Sequence, residues 1–300
     1  MSWLWLTALL VAGSHRQLAG EQPAGVIMPP TITMKSTCEQ MVSWLSPDKQ
    51  SPVLLQVVSE EYLRLQRNFF LVMQRNTAFS TKNIYLVCLD ESSKRFIDAN
   101  FPFRCVRAKG VPPYPGVWEF RTRVMMCLVK NDFDVLMSDS DALWLRDPIP
   151  ELAAIKGDLV VQRGSFPQKA SEPFYGTTMC MGFALFRAGG AGMVTLLEEL
   201  LRDTIKYRDD QWGINAAVIR LNIQWDYNQS RSDMRRFEST ALGYGIVADL
   251  PGNFTVAYLP NSQYSRNCHK VPMLEDGVVA HCFPHPHEPK IKRLGLWFLG

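Results

Sequence analysis

The sequence predicts an α/β fold: a mixed, mostly parallel sheet flanked by helices. Three observations predict it. Short apolar runs of strand length alternate with longer amphipathic stretches along most of the chain. Turn-forming residues separate them, as in "VPPYPGVW" (Val111–Trp118), with its three prolines and one glycine. A chain of 300 residues with 47% hydrophobic content also has enough apolar mass for a sizeable core. Such alternation puts helices on both faces of one sheet.

The elements run in order along the chain. "PVLLQVV" (Pro52–Val58) is an apolar run suited to a buried strand. A helix is expected through "EEYLRLQRNFFLVMQRN" (Glu60–Asn76). Leu63, Phe70 and Met73 share a face there, with Arg64, Arg67 and Arg75 between. "NIYLVCLD" (Asn83–Asp90) and "FRCVRA" (Phe103–Ala108) read as strands. The helix "EFRTRVMMCLVKN" (Glu119–Asn131) then leads into the strand "DVLMS" (Asp134–Ser138). "DLVVQR", "MGFALFR" and "FTVAYLP" are further strands, and "MVTLLEELLRDTI" and "QWGINAAVIRL" further helices. No internal repeat interrupts this pattern, so one domain is expected over residues 51–300.

The first residues differ. Trp3–Ala12 is an apolar run too short to span a bilayer comfortably, followed by small residues where cleavage can occur. Residues 1–20 therefore read as signal-like and residues 21–50 as a linker. Sequons at Asn228 and Asn253 agree with entry into the secretory pathway, in the ER or Golgi lumen or beyond. Contact with a membrane is limited to an N-terminal anchor, should residues 1–20 stay uncleaved. Net charge is +3 and no Lys/Arg run resembles a nucleic-acid arm, so nucleic acid is not an expected partner. The seven cysteines include no C-x-x-C pair, which excludes a zinc ribbon. Cys88 and Cys127 sit in apolar runs and read as core residues. Cys38, Cys105, Cys180, Cys268 and Cys282 are the disulfide candidates.

The chemistry concentrates in "DFDVLMSDSDALWLRDP" (Asp132–Pro148). Ligands of open α/β sheets bind beyond the carboxyl ends of strands, where Asp139 and Asp141 follow "DVLMS" at once. At strand-like spacing both carboxylates point the same way and suit a hard divalent cation. Three alternative roles compete with a cation site. An aspartate can cap a following turn. A calcium loop needs oxygen ligands where Leu143 and Leu145 stand. A haloacid-dehalogenase-type phosphohydrolase also ends a strand in D-x-D, but continues with Gly or Thr rather than Ala142-Leu143-Trp144.

"VLMSDSDALWLRDP" resembles the D-x-D segment of the nucleotide-diphospho-sugar transferase family, including the plant rhamnogalacturonan-II xylosyltransferases of glycosyltransferase family seventy-seven. "VLLQVVSEEYLRLQRNFFLVMQRN", "NIYLVCLD", "MGFALFRA", "DDQWGINAAV" and "VVAHCFPHPHEPKIKRLGLW" resemble further segments, in the expected order. The chain departs from the family pattern at Cys180, Met181 and Phe283. The resemblance implies a GT-A-like fold, a nucleotide-sugar donor (UDP-linked above all), a glycan or glycoprotein acceptor, and retention of anomeric configuration. It implies Mn2+ as cofactor, with Mg2+ second. A non-catalytic glycan-binding relative is the alternative of another class.

Carried onto this chain, the resemblance makes Asp139, Asp141 and His281 the metal ligands. His285 and His287 are nearby alternatives to His281, read as loop residues. Ser59, Arg123, Ser140, Lys290 and Lys292 would bind the donor. A helix cap competes as the role of Ser59, and a solvated helix face shared with Arg121 as the role of Arg123. A solvated basic surface competes for the two lysines. Asp210 and Gln211 would stand by the sugar and acceptor as the catalytic pair. An acid opening that helix also fits a cap favoured by the helix dipole.

Overall fold

The computed structural model describes residues 31–44, 51–78, 80–108, 110–111, 114–164, 166, 178–225, 242–268, 277–283 and 285–299. Residues 1–20 and the Asn228 sequon lie outside them. Among the described residues no helix is long and apolar enough to cross a membrane.

The first half alternates strand and helix as expected. It contains β1 (Val53–Val58), α2 (Leu63–Asn76), β2 (Ile84–Cys88), α3 (Glu91–Asn100), β3 (Arg104–Arg107), α4 (Gly116–Lys130) and β4 (Val135–Ser138). The second half adds β5 (Ala142–Trp144), α5 (Ile149–Ala154), β6 (Leu159–Gly164), β7 (Thr178–Phe186), α6 (Ala191–Tyr207) and α7 (Asp210–Arg220). It ends with β8 (Ile223–Trp225), β9 (Gly243–Val247), β10 (Thr255–Tyr258), β11 (Tyr264–Ser265), β12 (Val279–His281) and α8 (Glu288–Arg293).

Among the described residues, nine strands form one mixed sheet in the order β3-β2-β1-β4-β7-β6-β10-β9-β8. From β3 to β4 every pairing is parallel, and β6 and β10 are also parallel. The strand β7 runs antiparallel to both β4 and β6. Strands buried on both faces read as continuous apolar runs rather than alternating ones, which accounts for "VLLQVV" and "VLMS". Period-two geometry still sorts their side chains. Val53, Leu55, Val135 and Met137 enter the core on one face, and Leu54, Val58 and Leu136 enter that on the other. α4 and α6 supply the first core through Val124, Leu128, Leu196 and Leu200, and α2 the second through Phe69, Phe70 and Met73.

Two expectations need correcting. Residues 21–50 are not simply a linker, because Thr31–Trp44 form a helix, α1, with Met41 fully buried in the core. The cysteine assignment also changes. Disulfides join Cys38 to Cys127, Cys88 to Cys105 and Cys268 to Cys282, leaving Cys180 free and buried. Apolar surroundings and disulfide bonding coexist at Cys88, so an apolar run was a poor guide. Cys127 instead anchors α1 onto α4.

A second, three-stranded sheet joins the two parts of the chain that carry the acids and the histidine. Its order is β11-β12-β5. β12 runs antiparallel to β5, with His281 opposite Ala142 and Val279 opposite Trp144. The strand leaving the D-x-D turn therefore pairs with the strand that carries His281.

Candidate metal centre and cleft

The site begins at the carboxyl end of β4. The Gln56 side chain donates to the Ser138 carbonyl at 2.7 Å, and Gln66 of α2 donates to Gln56 at 2.6 Å. Trp144 is fully buried, and its indole N–H donates to Ser138 Oγ at 3.1 Å. This buried network fixes the strand end, and it accounts for a tryptophan close behind two acids. The chain then turns: Asp139 N–H donates to the Gly182 carbonyl at 2.8 Å, and Ala142 N–H donates to the Asp139 carbonyl at 2.9 Å.

The turn and β12 bring Asp139, Asp141 and His281 together. One ligand atom from each lies within 4.8 Å of the others. His281 Nε2 is 3.4 Å from Asp141 Oδ2, and His287 Nδ1 approaches the same oxygen at 3.1 Å. Gly182 on β7 makes room for this. A Cβ there would overlap His281 Cε1 and stand 3.0 Å from both Asp139 Oδ2 and His281 Nε2. Two carboxylates and an imidazole, packed around a position where no Cβ intrudes, fit a divalent cation, and the imidazole favours manganese over magnesium.

The electrostatics agree with that chemistry. Burial opposes a charged ring at His281, yet the Asp141 carboxylate, helped by the Cys180 sulfur, pushes its pKa up to about 10. Burial likewise opposes ionisation of Asp141, but His281 and His287 outweigh it and hold the carboxyl well below the usual range. Without a cation the pair is thus an internal ion pair, with the proton standing where a cation would bind.

Arg121, rather than Arg123, reaches this site. Residues two apart on a helix point about 200° away from one another. Arg121 is buried against the Trp118 ring and donates from Nη1 to Asp139 Oδ1 at 2.8 Å and from Nε to Asp210 Oδ2 at 2.8 Å. Arg123 pairs with Glu119 on the outer face at 2.7 Å. Burial pushes the Asp210 carboxyl up to about 6, against the pull of Arg121. Asp209, not Asp210, caps α7, accepting from the Trp212 N–H at 2.8 Å. Asp210 is thereby left facing the arginine.

A cleft of about 660 Å³ opens over these groups, within the usual size of a small-molecule site. Asp139, Ser140, Asp141 and Arg121 line it, with Ser59, His285 and His287. Ser59 makes no side-chain bond to the helical turn after it, so a capping role lacks its hydrogen bond. Gln211 is outside the lining, donating to the Phe166 carbonyl. Lys290 and Lys292 are also outside it: Lys290 lies on the buried side of α8 and Lys292 pairs with Glu288 at 2.8 Å. Sequence reasoning missed Arg121, Gln162 and Gly182. The Gly-Phe of "MGF" was a signal for the last, whereas Gln162 sits in an apolar run with nothing local to mark it.

Fold and site together define an α/β protein with a candidate acid–acid–histidine metal centre at the carboxyl edge of its sheet. The family model for nucleotide-diphospho-sugar transferases matches residues 80–283, more than half of the chain. The chain belongs to the nucleotide-diphospho-sugar transferase family. No curated protein matches it. Among solved structures it is similar to the glycosyltransferase GlyE of Streptococcus pneumoniae TIGR4, at 14% identity and TM-score 0.49, over 83% of this chain and 61% of that one. It is similar to the bifunctional glycosyltransferase WbbM at 14% identity and TM-score 0.43, over 58% and 38% of the two chains. The galactosyltransferase LgtC, in complex with donor and acceptor sugar analogues, is similar at 12% identity and TM-score 0.40, over 83% and 97%. The chain thus spans less than two thirds of GlyE and of WbbM. The family assignment rests on the sequence match alone.

Proposed function

We propose that this protein is a metal-dependent, retaining glycosyltransferase that moves a sugar from a UDP-linked donor to a hydroxyl of a glycan or glycoprotein. The observation that carries this reading is the Asp139–Asp141–His281 cluster at the end of β4, whose two acids line the cleft while His281 is buried behind them. Asp139, Asp141 and His281 would hold a divalent cation, Mn2+ before Mg2+, and such an ion supplies positive charge for the departing nucleoside diphosphate. The finer likeness to the xylosyltransferases of family seventy-seven belongs to this proposal. The family match leaves the phosphohydrolase reading without support.

The chain's own residues would take distinct parts in the reaction. Ser59 and Ser140 stand in the cleft to meet the nucleoside, and Arg121 offers its guanidinium beside the metal ligands. The bond from the anomeric carbon to the phosphate oxygen breaks, and its electron pair stays on the diphosphate. The acceptor hydroxyl forms the new bond on the same face and passes its proton to the departing phosphate oxygen. Asp210 is buried outside the cleft lining and tied to Arg121, and through that arginine it would help balance positive charge on the sugar ring.

Location belongs to the same proposal. Disulfides persist in oxidising compartments, so the three pairs support a lumenal or secreted protein. Asn253 is exposed in a turn with φ of 54°, accessible to glycan transfer. Release of nucleoside diphosphate from a panel of nucleotide sugars, with and without Mn2+, tests the activity. Manganese-dependent release is expected. Binding of glycans without any release would establish the non-catalytic alternative instead.

A further inference from the structure

Gln162 lies on β6 and is fully buried. One end of its amide meets a partner of fixed polarity. The Tyr264 main-chain carbonyl only accepts, so the amide nitrogen faces it, at 2.9 Å. Oε1 is then left against His281 Nδ1 at 2.8 Å, and because an amide oxygen only accepts, Nδ1 carries a proton. The polarity starts from a carbonyl that cannot flip and runs through the amide to the ring. Cys180 Sγ, at 3.8 Å from Nδ1, is a weak partner by comparison. The β6–β7 register shifts between Val161 and Gln162, the kind of irregularity that re-aims a side chain beside a site.

We propose that Gln162 is a positioning residue of the cation site: it holds the Nδ1 proton of His281, so that Nε2 is the nitrogen offered to a divalent cation beside Asp139 and Asp141. The proposal rests on the metal-dependent reading above. An imidazole has two nitrogens, and only one can face the carboxylates in a given ring orientation. An outer partner that accepts from the other nitrogen fixes both orientation and tautomer, and its loss typically costs about 10–100-fold in metal affinity. His281 also keeps its Nδ1 proton, held by Gln162 Oε1, when a cation displaces the proton on Nε2, so the ring need not turn over on binding.

The test uses Mn2+ alone, its affinity read from the paramagnetic resonance of the free ion, with thermal melts alongside. Gln162→Met keeps the length of the side chain and loses the acceptor. It should bind Mn2+ about 10–100-fold more weakly than wild type. Gln162→Glu keeps an acceptor for Nδ1 and loses the donor to Tyr264, so it should lose thermal stability yet retain most of the affinity. A merely structural role predicts that both variants lose affinity together. Wild-type affinity in Gln162→Met, or equal loss in both variants, overturns the proposal. Imidazole 15N spectra of the wild-type protein loaded with Zn2+ need no variant. A proton on Nδ1 and a metal shift on Nε2 are expected, and the reverse assignment overturns the proposal. If the wild-type protein binds no Mn2+, the cation reading falls first and this inference with it. Binding by wild type and equal binding by Gln162→Met removes the positioning role alone.

Discussion

Gly182→Ala is the sharpest test of the site's geometry. The new Cβ would overlap His281 Cε1 and press on Asp139 Oδ2 at 3.0 Å. Non-bonded carbons settle about 3.5–4.0 Å apart, so the ring must retreat by about 1 Å or more. Retreat is blocked by Gln162, 2.8 Å from Nδ1, and by Cys180, 3.8 Å away. The backbone of Gly182 cannot yield cheaply, because its carbonyl accepts from Asp139 and its neighbour Phe183 pairs with Ser138. Overpacking of this kind costs about 1–3 kcal/mol, which leaves a folded protein. Metal–ligand distances tolerate only about 0.2 Å, so the same displacement takes Nε2 out of coordination. Mn2+ affinity and thermal unfolding measured on one sample should show a modest fall in midpoint and a loss of affinity of at least about tenfold, as for other disturbed ligand orientations. Wild-type affinity in Gly182→Ala, with a normal melt, would show that no cation sits between His281 and Asp139.

Three further outcomes are expected. Arg121→Ala breaks a buried pair with Asp210 and should cost about 3–5 kcal/mol, whereas Arg123→Ala removes a partly exposed i,i+4 pair worth about 0.3–0.5 kcal/mol; urea denaturation separates the two, and equal losses would show that the Arg121–Asp210 pair does not act as a buried one. Because the His281 pKa is raised to about 10, a cation must displace a proton at neutral pH, and Mn2+ affinity measured from pH 6 to 8 should rise about tenfold per unit. In the metal-free protein the same shift has the opposite sign, its stabilising contribution being complete below the ordinary histidine pKa of about 6.5 and lost as pH rises through about 10. A flat affinity profile would detach His281 from the cation. Cys282→Ser opens a disulfide spanning 14 residues and should cost about 3 kcal/mol, with weaker Mn2+ binding because Cys282 adjoins His281; unchanged binding would show that pairing with β5 and β11 is enough to hold β12 in place.

Much of the fold was legible because burial on both faces writes itself as apolar runs, and helices as periodic ones. The alternation from β1 to β4 is a direct result. Short elements were not legible: β5 and β12 have three residues each, too few for a period, and they exist because they pair with one another. At the site, Asp139 and Asp141 were visible as acids that burial would otherwise penalise. The choice between Arg121 and Arg123 was not visible. The sequence sets them on opposite faces of α4, but only packing decides which face meets the cleft. Gln162 was hidden for another reason: a glutamine in an apolar strand is marked by its distant partners, Tyr264 and His281, and by nothing beside it in the chain.

The pairing of β5 with β12 also sets a clock. Asp139 and Asp141 are synthesised early, but the residue that completes the cluster stands at position 281, on a strand held by its pairing with β5 and by the Cys268–Cys282 bond. Contacts between such distant parts of a chain form late, since the intervening segment must be ordered first. A nascent chain that has emerged only as far as β10 thus has its acids and most of its sheet, yet no finished centre. On the proposed reading, competence for a cation would arrive late, when β12 docks and the Cys268 and Cys282 thiols oxidise.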